Sequence, residues 1–232
     1  MVTVSSVSAN PPSPWRVGLR GAQANLLPGL ALQAGALVLV AAYYRHDATR
    51  ELLGRLSAWR VETGFAFSFV STALFGAGLP LLYLWLRAAT RTRYDARQCA
   101  ALILFWAYKG VEVDALYRLM AFCFGAGHDV RIIAVKSFFD QFVYCPFFAV
   151  PITVLAYEWI ESRFDGPAVW ADLRAGGWYR RRGMTVLLSS FGVWLPAVFI
   201  IYALPTPLQL PLQNLVLCFY TLLVAHVTRR NP

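Results

Sequence analysis

The sequence predicts an all-α fold: a polytopic transmembrane helical bundle of about six membrane helices, with interfacial amphipathic helices between them. Three observations predict it. Of 232 residues, 58% are hydrophobic and only 14% charged, where a soluble domain carries about a quarter charged residues. The apolar residues fall in six long runs, each about the length that crosses the hydrocarbon core of a bilayer. Most of the arginines gather between those runs, which is how orientation signals are distributed in membrane proteins.

Residues 1–24 form the first segment, a disordered or interfacial tail containing "NPPSP". Arg16, Arg20, several serines and the absence of acidic residues before Asp47 also give it a weak likeness to an organellar transit peptide. The plain Pro/Ser tail is the simpler reading. Residues 25–63 comprise an extra membrane helix (25–44) and an amphipathic linker. In that linker Leu52, Leu53, Leu56 and Trp59 recur at helical spacing among charges.

Residues 64–232 hold the remaining spans, 64–86, 99–124, 130–159, 184–204 and 208–227. At about 1.5 Å per residue each reaches across the core. Prolines at 80, 146, 151 and 196 bend the second, fourth and fifth spans. Each frees the carbonyl four residues earlier (Gly76, Phe142, Phe147, Gly192), which then needs a partner inside the bundle. A second amphipathic segment, "ESRFDGPAVWADLRAGGWYRRR", is expected to set Trp170 and Trp178 at headgroup level, with Arg180 to Arg182 as a basic stop.

Orientation follows from the arginines outside the spans. Thirteen lie on the side of the two termini and five on the other, counting Arg131 at the very start of the 130–159 span. Both termini are therefore expected on the cytoplasm-equivalent side, in a mitochondrial inner membrane or a bacterial cytoplasmic membrane. The net charge of +9 does not form an interleaved basic face, so nucleic acid is not an expected partner. Cys99, Cys123, Cys145 and Cys218 lie in apolar segments without CxxC spacing, which argues against disulfides or zinc. There is no catalytic His/Asp/Ser set and no HExxH; the reading is a non-enzyme with no cofactor.

The informative residues are the charges inside the spans. Lys109 and Glu112 are three apart, and Asp114 and Arg118 four apart, so each pair shares a helix face. The two pairs point in nearly opposite directions, which predicts a central third helix with neighbours on both sides. In the fourth span Lys136 and Asp140 are again four apart, beside Gln141 and ahead of the kink at Pro146. Two readings are open: internal pairing that fixes helix register, or a hydrated path lined by these groups. Gly76, Gly78 and Gly110 are expected to allow close helix approach.

These residues carry a resemblance. "KSFFDQFVYCPFF" resembles the signature of the Mpv-seventeen / peroxisomal-membrane-protein-twenty-two family, with Lys136 upstream of Asp140-Gln141, then four residues, then Pro146. "GAGL" resembles its Gly-x-Gly-Asp, keeping Gly76 and Gly78 with Leu79 in place of aspartate. "GVEVDALYRLM" resembles its Gly-Pro-x-x-His-x-Trp-Tyr, keeping Gly110 and Tyr117. Val111, Asp114 and Leu116 replace the proline, histidine and tryptophan. "WLPAVFIIY" keeps Pro196, with Phe199 and Tyr202 where the family has glutamine and asparagine.

The resemblance covers about residues 64–232, so the first span would be an addition to a four- or five-helix family core. It implies an integral membrane protein of the small-solute channel type, as in mitochondrial inner and peroxisomal membranes. The alternative is a non-catalytic structural or assembly subunit of a larger membrane complex, or a homo-oligomer, in contact with the lipid bilayer. The sixteen Phe, eleven Tyr and eight Trp exceed what interfacial belts need and favour that alternative. Because Phe199, Ile200, Ile201 and Tyr202 would plug the fifth span, no continuous wide pore is expected. Any cavity should be narrow and open to one side.

Overall fold

Eight helices carry the chain in the computed structural model, which describes residues 14–227; no strand occurs among the described residues. They are α1 (Pro14–Arg45) and α2 (Asp47–Thr63), α3 (Phe65–Leu86), α4 (Ala96–Phe124), α5 (Val130–Glu161), α6 (Gly166–Arg174), α7 (Tyr179–Tyr202) and α8 (Thr206–Val227). α3, α5 and α7 are long and apolar enough to cross a membrane, and α1 adds a shorter apolar stretch, Gly29–Arg45. The all-helical architecture and these apolar helices are those of a membrane protein.

α1 begins at Pro14, well before the predicted start at residue 25. Proline suits the first turn of a helix, where its missing N–H would have no partner anyway. Of the tail expected over residues 1–24, residues 14–24 belong to α1 and residues 1–13 lie outside the described residues.

Local sequence explains the other boundaries. Asp95 and Gln98 make a reciprocal capping box at the start of α4, with bonds of 2.8 and 3.0 Å. Asp129 caps α5 through the Ile132 amide at 3.1 Å, and Asp165 caps α6 through the Ala168 amide at 3.0 Å. Gly64 breaks the chain between α2 and α3 at φ 56°, in the left-handed region that favours glycine.

The prolines act largely through wide turns. A π-helical turn at Leu74–Gly78 precedes Pro80, and a longer π-helical segment, Asp140–Ala149, contains Pro146. Such turns absorb the broken hydrogen-bond ladder. At Pro196 a distant side chain takes over: Gln33 Nε2 of α1 donates to the carbonyls of Gly192 (3.4 Å) and Val193 (3.3 Å).

α1, α3, α4, α5, α7 and α8 run alternately between two ends, with α2 lying along one and α6 at the other. At one, rich in arginine, the 87–95 and 162–178 connections meet: Gln98 Nε2 donates to the Ile160 carbonyl at 2.8 Å, and Tyr94 donates to Glu161 at 3.0 Å. At the opposite end Tyr44 donates to the Ala203 carbonyl at 2.7 Å, and Arg60 to the Thr206 carbonyl at 2.7 Å. α4 sits centrally, touching α3, α5 and α8. Its Gly110 lies so close to α3 that a Cβ there would stand 2.2 Å from the Ser68 carbonyl oxygen. A Cβ at Gly76 would stand 2.7 Å from the Trp106 ring. Gly78 differs from the expectation: its nearest atom is Leu74 Cδ1 of its own helix at 3.4 Å, because the π turn directs it there.

Both amphipathic segments turn some of their residues into the protein. In α2, Leu52 and Trp59 are exposed, while Leu53 and Leu56 pack on the core and Arg60 is buried with them. Trp170 of α6 is exposed, but Trp178 is buried and donates to Glu158 Oε2 at 2.9 Å. Its indole N–H needs a partner once the ring packs against Val150, Val154 and Leu187.

Candidate functional site

α4 presents polar groups in two directions. Toward the opposite end, Asp114 is fully buried and accepts from Arg60, from the Ser68 hydroxyl and from Arg118 Nε at 3.1 Å. Only the Arg118 partnership follows from spacing along α4. Arg60 arrives from α2 and Ser68 from α3, so one carboxylate ties three helices together. Arg118 itself is half exposed and lies over the Phe65 ring, 4.8 Å from its centre.

On the other side, Lys109 Nζ pairs with Glu112 Oε1 at 2.6 Å. Tyr144 of α5 closes a triangle, accepting from Lys109 at 3.2 Å while its hydroxyl donates to Glu112. Tyr117 donates to Gln213 at 2.7 Å, and Thr72 of α3 to Asn214 at 2.9 Å, so α8 is stitched to the same layer.

The i,i+4 pairing expected between Lys136 and Asp140 does not form. Asp140 accepts instead from Gln141 Nε2 at 2.9 Å and from the Tyr202 hydroxyl at 3.0 Å. Lys136 is buried, with its Nζ 5.8 Å from the centre of the Tyr202 ring. Tyr202 engages both residues, its hydroxyl taking the carboxylate and its ring facing the ammonium, and that competition decides the outcome. Of the four residues expected to plug the fifth span, Ile200, Ile201 and Tyr202 are buried, whereas Phe199 is 41% exposed.

Lys109, Tyr117, Asp140, Gln141, Tyr144 and Gln213 border a cavity of about 590 Å³, within the roughly 300–1,000 Å³ usual for small-molecule pockets. It is wider than the narrow cleft expected. Its residues run from Arg93, Tyr94, Glu158 and Glu161 at the arginine-rich end, past Lys109, Asp140 and Gln141, to Leu116, Tyr117 and Val198. Ten residues of α5 separate Val130 from Asp140, about 15 Å along the helix, which puts Asp140 near mid-depth, with Tyr117 forming the floor beyond it. None of the lining residues comes from the connections at the opposite end. Beyond the floor Met120, Ile201, Tyr202, Leu204 and Leu208 pack in one core.

A smaller depression of about 260 Å³ shares Glu158 and Glu161 with the mouth. Arg182 crosses it, 2.8 Å from Glu158 and 3.1 Å from Asp172. At the mouth, burial pushes the Tyr94 phenol above its usual range, so it remains a donor to Glu161.

Periodicity shows Lys109, Glu112, Asp114 and Arg118, but Arg60, Ser68, Tyr144 and Gln33 reach the network only through tertiary contacts. Arg60 had one local signal: it follows Leu53 and Leu56 on the packed face of α2. Among the described residues no group of three His, Cys, Asp or Glu could hold a metal, and the four cysteines are free thiols. No protein-family model, curated protein or solved structure matches the chain.

Proposed function

We propose that this chain is a six-span integral membrane protein, with both termini on the cytoplasm-equivalent side, whose bundle holds a one-sided small-molecule pocket and does not conduct. The observation that carries the proposal is the shape of the cavity. It reaches from the mouth at Arg93 and Glu161 past Asp140 and Gln141 to a floor at Tyr117, which with Ile201 and Tyr202 beyond forms a packed layer. A conducting path needs polar groups along its whole length, and that layer offers hydroxyls already committed to Gln213 and Asp140. The likeness to the Mpv-seventeen family supplies the membrane context and the small-solute theme; the blocked floor argues for binding in place of free passage.

Cys145 lines the cavity and provides the test. In a chain with Cys99, Cys123 and Cys218 replaced by serine, a charged thiol reagent should modify Cys145 from the arginine-rich side only. Purified protein in a planar bilayer should give no unitary currents. Modification from both sides at similar rates, or reproducible currents altered by Asp140→Asn, would restore the channel reading.

A role as an assembly subunit is the second reading. One face of α5 exposes Phe138, Phe142, Phe147 and Phe148, with Phe147 70% exposed. Aromatic rings on an outer face serve lipid or a partner helix equally well. Obligate co-purification with a larger complex in mild detergent would favour this role, and a stable lone species would remove it.

A further inference from the structure

We propose that the cavity takes an organic cation with an apolar body, its ammonium group seated against Asp140. This rests on the reading of the cavity as a ligand site and adds the chemistry of the ligand. Asp140 carries a carboxylate to about mid-depth, yet among the described residues its oxygens meet only neutral donors, Gln141 at 2.9 Å and Tyr202 at 3.0 Å. A lone carboxylate in such surroundings is costly, and a cation beside it offsets that cost. Lys109 attracts this carboxylate only from a distance, because its ammonium is held in contact with Glu112 at 2.6 Å in a pair that is neutral as a whole.

The groups around Asp140 select for the same chemistry. Gln141 borders the cavity with its Oε1 buried and without a donor, an acceptor that an N–H of the ligand would satisfy. Trp106, Tyr144, Tyr157, Trp194 and Tyr220 wall the space above. Their ring faces attract cations and offer apolar contact to the rest of the molecule. Carboxylates also prevail among the lining charges: with Lys109 paired to Glu112 and Glu158 to Arg182, Asp140 and Glu161 stand against Arg93. An anion would meet an unpaired carbonyl oxygen and a carboxylate near the floor, and a neutral apolar molecule would leave both unanswered.

Three probes of one shape separate the possibilities: 1-naphthylmethylamine, which is an ammonium ion at neutral pH, neutral 1-naphthalenemethanol and anionic 1-naphthoate. Equilibrium dialysis would use the full chain in phosphatidylglycerol nanodiscs. The amine should bind saturably, roughly tenfold or more tighter than either analogue, and Asp140→Asn should remove that advantage. Thr153→Trp, which fills the lumen at a lining residue, should abolish binding. Should Asp140→Asn fail to fold, protection of Cys145 from thiol modification in the otherwise cysteine-free chain gives the same answer: the amine protects and the alcohol does not.

Equal binding of amine and alcohol, both lost in Thr153→Trp, would overturn the cation assignment and leave the cavity reading standing. Amine binding undiminished by Thr153→Trp would overturn both, and absence of amine binding would overturn the cation assignment. The amine could be a free molecule or the headgroup of an amine lipid. Weaker amine binding in phosphatidylethanolamine nanodiscs supports the lipid source, and unchanged binding supports a free amine.

Discussion

The Tyr202 hydroxyl, near the end of α7, donates to Asp140 Oδ2 at 3.0 Å, at the point where α5 widens into its π-helical segment. The same ring lies 5.8 Å from Lys136 Nζ. The bond therefore fixes the polar group near the floor of the cavity and separates two charges whose spacing suggests a pair.

Tyr202→Phe should strip Asp140 of one donor in a buried setting and cost about 1–3 kcal/mol. A double-mutant cycle separates this contact from the alternative. Asp140→Asn and Tyr202→Phe should couple, whereas Asp140→Asn and Lys136→Leu should add nearly independently. Strong coupling to Lys136 in thermal unfolding would mean that the spacing-based pair exists after all.

Asp114 is the anchor whose loss should hurt most. Asp114→Asn leaves the buried Arg60 guanidinium without its counter-charge, at about 3–5 kcal/mol. Arg118→Ala removes a partner whose side chain is 46% exposed, and should cost no more than about 1 kcal/mol. Folded yield and melting temperature in detergent would rank the two, and a reversed order would deny Arg60 its place in the network.

Gly110→Ala adds a methyl group where the Ser68 carbonyl oxygen would be 2.2 Å away. Backbone cannot yield as a side-chain tip does, so α3 must move off α4, at a cost of about 1–3 kcal/mol or more. The matching change at Gly78, where a Cβ would meet Leu74 Cδ1 at 3.4 Å and the Ala73 carbonyl oxygen at 3.6 Å, ordinary contact distances, should be nearly neutral. Equal losses at the two sites would contradict the assigned helix contact.

Gln33 is predicted to matter because of a proline on another helix. Gln33→Leu should leave the Gly192 and Val193 carbonyls without their donor, costing about 1 kcal/mol. In a Pro196→Ala background the helix can satisfy Gly192 itself, so the same change should cost clearly less. Melting temperatures of the four variants decide it, and a cost independent of residue 196 would reject the link.

Length and hydropathy by themselves determined where α3, α5 and α7 run, since an apolar stretch of membrane length has no other economical conformation. Spacing of three and four also determined Lys109–Glu112 and Asp114–Arg118, because both members ride on one rigid helix and their separation is fixed locally. Tertiary structure decided the rest. Arg60 and Ser68 join Asp114, Tyr144 joins Lys109 and Glu112, and Gln33 answers Pro196 only because separate helices pack side by side. For Asp140 the tertiary contact prevailed over the local one: a tyrosine 62 positions away offers its hydroxyl to the carboxylate and its ring to Lys136. The cavity has the same origin, since its walls are drawn from five helices and its floor from how the last turns of α7 close against α4 and α5.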